Sequence, residues 1–162
     1  MAVARTFAVA LTGVRGDVVE VEADISAGLP AFVLIGLPDA ALGESRKRVS
    51  AAASNAGCAL TQRKLTVNLS PASLRKQGSG FDLAIAVAAL AASGEIPAEA
   101  AAGAVHLGEL GLDGRLRPVP GILPSVLAAR DAGFRRVLVP SANAEEAQLV
   151  GGIDVVPVVG LR

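Results

Sequence analysis

The chain has 162 residues, 52% of them apolar, with fifteen basic and fifteen acidic side chains and a formal net charge of zero. A chain of that length and hydropathy can bury a proper core, which excludes a disordered tail or a uniformly basic arm. Four Phe with no Trp or Tyr exclude an aromatic platform for stacking bases, and a lone cysteine, Cys58, excludes an internal disulfide.

The first apolar stretch is interrupted by Arg15 and Asp17, too early for a secretory signal, so it reads as a strand. Residues 5–13 and 17–25 form two strands, the second alternating Val18, Glu20 and Glu22 against Val19, Val21 and Ala23, with a glycine turn between them. Residues 31–38 form a short apolar run that ends in Gly and Pro, as a buried strand does. Asp39 is expected to cap a helix over 40–57, with Leu42, Val49, Ala52, Ala53 and Ala56 near one face and Gly57 as its stop.

Residues 64–70 predict a strand with Leu65, Val67 and Leu69 on one side. A glycine-rich turn, Gly78-Ser79-Gly80, then opens an apolar helix that runs to Gly94, and Asp82 complements its first turn. Asp113-Gly114 between short apolar runs signals a hairpin. A helix over 122–133, a strand over 135–140, a short helix over 143–150 and a strand over 152–158 complete the chain. Hairpins first and β-α-β units later indicate an α/β or α+β domain. The longest apolar run, Leu83–Ala92, is too short to span a membrane, and the expectation is a soluble cytoplasmic protein without membrane contact.

The zero net charge conceals an asymmetry. Between Ser45 and Lys76 lie seven basic residues, Arg46, Lys47, Arg48, Arg63, Lys64, Arg75 and Lys76, and no Asp or Glu. These are the candidate nucleic-acid-binding residues, because contact with phosphates needs only positive charge and backbone positioning. The alternative is a solvated face, or pairing with acids such as Glu20 and Glu22.

The glycine-rich turn invites a test as a phosphate loop. A Walker-type loop ends in Gly-Lys-Ser/Thr, whereas here Lys76 precedes the turn and Asp82 would repel a phosphate. No G-x-G-x-x-G dinucleotide fingerprint is present either. His106 is the one histidine, and within a strand it reads as a hydrogen-bonded core or edge residue rather than a ligand. Cys58 reads as a small buried hydrophobe, and Glu145 and Glu146 as a solvated helix face. No cofactor or metal is expected to bind this chain.

Three segments together carry a resemblance: "GLPDAALGESRKRV", "VNLSPASLRKQGSGFDLAIA" and "GELGLDGRLRPVPGILPSVLAARDAG". In this combination the chain resembles the N-terminal domain of the magnesium-chelatase-like AAA+ ATPases, the ComM/YifB family, over nearly its whole length. That domain is similar to the Lon protease domain and the C-terminal domain of RadA. The resemblance implies the fold of ribosomal protein S5 domain 2, a mixed sheet with packed helices. It implies one Lon-like, ChlI-type domain over residues 1–162, ahead of a AAA+ module that would hold ATP and Mg2+. The family implies a hexameric, ATP-dependent DNA motor that promotes branch migration in natural transformation. The partners expected are the AAA+ module, neighbouring subunits and DNA.

Lon-type proteolysis uses a serine nucleophile and a lysine base. By the resemblance those positions fall at Gly80 and Leu123, neither of which can do the chemistry, and Ser79 is displaced by one residue. The chain is therefore expected to be a non-catalytic accessory domain that aids ring assembly, DNA contact or both. The alternatives are a purely structural oligomerisation domain and a degenerate Ser-Lys hydrolase.

Overall fold

The computed structural model describes residues 2–60 and 62–162, without the side chains of Ala2 and Asp39. β1 (Ala2–Thr12) and β2 (Arg15–Ser26) form a long antiparallel hairpin, paired from Ala2↔Ile25 to Thr12↔Arg15. The expected alternation holds along β2, where Val19, Val21, Ala23 and Ile25 are buried and the intervening polar residues are half-buried. β3 (Ala31–Ile35) follows, then α1 (Asp39–Asn55) and β4 (Lys64–Ser70). α1 starts at Asp39 with Pro38 in the cap position, one residue earlier than the expected Asp39 cap. It ends as expected: Gly57 takes φ +80°, Gly57 N–H donates to Ser54 and Cys58 N–H donates to Ala53, satisfying carbonyls of the last turn.

α2 (Asp82–Ala92) is buried along its whole length, which explains a helix apolar on every side. α3 (Ala98–Ala102) was not expected from the sequence. β5 (Val105–His106) precedes a small separate hairpin of β6 (Glu109–Leu110) and β7 (Leu116–Arg117), which turns at Asp113-Gly114 as predicted. α4 (Ile122–Asp131), β8 (Arg136–Pro140), a 3-10 turn (Ser141–Asn143), α5 (Ala144–Ala147) and β9 (Asp154–Val158) end the order.

The main sheet has seven strands in the order β3-β4-β2-β1-β5-β8-β9. Its β1–β2 and β2–β4 pairs are antiparallel and the other four are parallel, so this is the mixed sheet with packed helices that the resemblance implies. Successive strand residues face opposite ways, so one sheet builds two cores. Ala8 and Ala10 of β1 join α2 in the larger core, while Val9 joins α4 in the smaller one, with Leu11 packed against it. Gly16 lets α4 approach: a Cβ there would lie 2.6 Å from the Ala128 Cβ. Beyond that end of β2, the row Glu20, Glu22 and Asp24 lies on the α4 side of the sheet. Arg5 pairs with Glu20 at 3.1 Å and with Glu22 at 3.7 Å.

Among the described residues, no helix is long and apolar enough to cross a membrane.

Candidate functional site

The loop between β4 and α2 carries the features that the sequence singles out. Lys76 does not project from it. Its Nζ donates to the carbonyls of Pro71 at 2.6 Å and Leu74 at 3.0 Å, and the residue is only 2% exposed. Burial lowers its pKa, since removing water disfavours the charged form. The ammonium closes its own loop, which corrects the expectation that Lys76 is part of a nucleic-acid-facing rim. Gly78 turns the chain at φ +81°, and Gly80 and Gly108 then stitch the loop to the segment after β5: Gly108 N–H donates to Gly80, and Leu83 N–H donates to Gly108, both at 3.1 Å.

Asp82 is the first residue of α2 and is fully buried. Rather than capping its own helix, its carboxylate gathers two other segments, α1 and β6. Ser45 Oγ donates at 2.6 Å, Arg48 donates through Nε at 2.7 Å and Nη2 at 3.1 Å, and Leu110 N–H donates at 3.1 Å. The two-pronged Arg48 contact is the strong planar form of carboxylate recognition. It raises the Arg48 pKa, the hydrogen bond to Asp82 being the largest cause. Arg48 is thus committed to holding α1 against α2, which corrects its place among free nucleic-acid contacts.

A cavity of about 350 Å³ opens beside this loop, between the loop residues Gln77–Phe81, Val9 and Leu11 of β1, and the segment entering α4. Gly80 lines it, and a Cβ added there would meet nothing closer than Val119 at 3.8 Å. A serine would fit; the limitation is chemical rather than steric. The two hydroxyls on the cavity wall are already engaged, Ser79 donating to Glu109 and Ser125 to the Gly121 carbonyl of its own helix turn. Leu123 packs against the smaller core. Among the described residues, the wall therefore carries no serine–lysine pair.

His106 is buried, with Nδ1 2.7 Å from Thr6 Oγ1, and Thr6 in turn donates to the Ala101 carbonyl at 2.7 Å. Burial pushes its pKa down to about 4, so the ring is neutral near pH 7. Among the described residues, no cluster of His, Cys, Asp and Glu could hold a metal ion.

The remaining candidate cations are spread over the surface. Arg46 and Lys47 are exposed on α1, Arg63 and Lys64 are exposed where β4 begins, and Arg75 is exposed on the loop with its guanidinium against the Gln77 amide. The acids Glu20 and Glu22 are met by Arg5, and Glu22 also by Asn68. Charge density in the sequence could locate the basic window, but not the partners that remove Arg48 and Lys76 from it.

The family profile described as Subunit ChlI of Mg-chelatase matches residues 21–143, which contain α1, the loop, α2 and α4. The chain belongs to the magnesium-chelatase-like ComM/YifB family. Within that family the chain is 39% identical over 150 residues to Competence protein ComM of Haemophilus influenzae, covering 93% of this chain and 29% of that protein. It is 54% identical over 155 residues to an uncharacterized protein of Mycobacterium tuberculosis, covering 96% of this chain and 31% of the relative. A more distant likeness, 32% over 147 residues, links it to the peroxisomal Lon protease homolog 2 of Caenorhabditis elegans, with 86% of this chain and 18% of that one covered. The Lon likeness is consistent with the mixed sheet described above. The chain spans under a third of the length of the Haemophilus and Mycobacterium relatives.

Proposed function

We propose that this chain is the non-proteolytic accessory domain of a ComM-type, ATP-driven DNA motor. In that reading it helps subunits assemble into a ring and touches DNA phosphates through its exposed cations. The observation that carries the reading is the cavity beside the α2 entry, where both hydroxyls among the described lining residues are already engaged; the resemblance puts the Lon serine and lysine positions at Gly80 and Leu123. A Lon-like shell without its chemistry is suited to binding and assembly. A relative named Competence protein ComM supports a role in competence; the DNA motor and its branch migration are what the family resemblance implies. ATP and Mg2+ would be held by a AAA+ module outside these residues, and the full-length assembly would be a cytoplasmic hexamer.

DNA contact is tested by titrating duplex and branched oligonucleotides across a salt series. Affinity should fall as salt rises, since each phosphate contact releases counterions. Reversing the exposed Arg46, Lys47, Lys64 and Arg75 to Glu should weaken binding to every sequence alike. Unchanged binding after those reversals refutes the residue assignment. A second reading, an oligomerisation domain without DNA contact, is favoured by the commitment of Arg48 and Lys76 to the fold. Sedimentation over a range of concentrations tests it, and a strict monomer that binds DNA rejects it.

A further inference from the structure

The two free edges of the sheet are unequal. At one end, β9 carries Pro157, which has no N–H to donate, and its Asp154 pairs with Arg136 of β8 at 3.6 Å. Proline and charge both discourage further strand pairing. At the other end, β3 reads Ala31-Phe32-Val33-Leu34-Ile35, with no proline, no charge and, among the described residues, no strand beyond it. An apolar edge of this kind is a template for another strand.

The surroundings of β3 indicate what that strand should look like. Phe32 and Leu34 turn into the larger core, so Ala31, Val33 and Ile35 lie on the opposite face, where Ile35 is 47% exposed. A trough of about 690 Å³ touches Ala31, Phe32 and Val33 in succession. Because consecutive strand residues leave opposite faces, a hollow touching all three runs along the backbone edge. Its far wall is α1, through Arg46, Lys47 and Ser50. A second hollow of about 310 Å³ shares Ala31, Phe32 and Ser50 and extends the trough towards Gln62. Among the described residues, no Asp or Glu lines either hollow. Arg46 crosses the gap with one long bond, 3.3 Å, to the Phe32 carbonyl, an interaction that an arriving peptide N–H could replace.

We propose that β3 and α1 form a strand-addition site for an extended acidic segment of a partner protein. The segment pairs its backbone with the free edge of β3, directs alternate carboxylates at Arg46 and Lys47, and lays the intervening apolar residues beside Val33 and Ile35. Backbone pairing supplies affinity and the alternate side chains supply selectivity. A phosphate backbone would use the two cations but neither the edge nor the apolar row, so the trough fits a peptide better than a nucleic acid. The inference goes beyond the DNA-motor reading and does not depend on it.

The probe is a fluorescent, acetylated Glu-Val-Glu-Val-Glu-Val peptide titrated into the protein by anisotropy. Saturable binding is expected, with the Lys-Val counterpart at least about tenfold weaker, as complementary charge requires. Two further probes carry N-methyl groups on one or the other set of alternate residues. One set should abolish binding and the other should leave it within about twofold, because only alternate N–H groups face the edge. The Arg46→Glu/Lys47→Glu protein, altered only at exposed positions, should bind about tenfold more weakly. Absence of saturable binding overturns the proposal, as do equal affinities for the unmodified and both N-methylated peptides. Binding of a duplex oligonucleotide that the same double substitution abolishes, with no peptide binding, assigns the trough to nucleic acid and also overturns it. A protein that binds the peptide in this pattern but no DNA supports this site while refuting the DNA contact above.

Discussion

Asp82 and the edge of β3 meet different sides of the same turns of α1, Ser45 and Arg48 for one and Arg46, Lys47 and Ser50 for the other, and they treat polar groups in opposite ways. Around Asp82, one carboxylate receives a serine, both prongs of an arginine and a backbone N–H, all drawn from residues 45, 48 and 110. Beside β3, the backbone edge of an apolar strand meets a long bond from Arg46, with an open trough around it. The glycine-rich, charged stretch, which looks most like a site in the sequence, commits Lys76, Ser79 and Asp82 to internal hydrogen bonds and leaves Arg75 exposed. The plain stretch "AFVLI" is where the fold leaves hydrogen-bonding capacity open to a partner. Conspicuous chemistry in a sequence therefore need not mark the accessible surface.

The contrast can be broken hardest at Asp82. Asp82→Ala strands the Arg48 guanidinium and the Leu110 N–H, and should cost about 3–5 kcal/mol in urea unfolding, the range for removing one partner of a buried ion pair. A loss below about 1 kcal/mol would mean that the cluster is dispensable, leaving no contrast with the trough.

His106 gives the next largest effect and is read by pH. Its pKa near 4 in the fold lies below the ordinary 6.5, so the unfolded chain takes up the proton first. The stability that it protects is fully present above pH 6.5, falls as pH drops towards 4, and loses nothing more below that. The total is about 3 kcal/mol. Carboxylates titrate nearby, so the measurement is the difference between the protein and His106→Gln, whose stability profile should be flatter by that amount over the window.

Lys76 and Arg75 sharpen the comparison because they are adjacent but differ in burial. Lys76→Met removes the donor for two carbonyls and should cost about 1–2 kcal/mol, whereas Arg75→Met should stay within about 0.5 kcal/mol. For DNA binding the order should reverse, with Arg75→Met the weaker binder. The smallest effect is expected at Gly80. Gly80→Ser fits the open wall and should change stability by less than about 1 kcal/mol. It should yield no cleavage of a fluorogenic peptide, since Leu123 offers no base and Lys76 is held by carbonyls; Ser79→Ala should likewise leave a peptidase assay unchanged.

Much of this architecture was legible in residue order. The alternation in β2, the apolar faces of α1 and β4, the wholly apolar α2 and the glycine stops follow from local periodicity and backbone preference, which act within a few residues. α3 escaped because "AEAAA" is too short and too uniform to show a period between Pro97 and Gly103. β5 escaped as a member of the main sheet because its pairing with Phe7 is a contact across almost a hundred residues. The resemblance brought Gly80 and Leu123 into view, which composition alone could not do.

The sequence by itself determined the local elements and the basic window, because each depends on residue identity and near neighbours. Only the tertiary structure decided which charges remain available. Arg48 is taken by a carboxylate 34 positions away, and Lys76 by carbonyls that its own loop must fold back to present. It also decided that β3, unremarkable as a sequence, ends the sheet and keeps an open edge. Burial and pairing belong to the assembled chain, and no window of residues contains them.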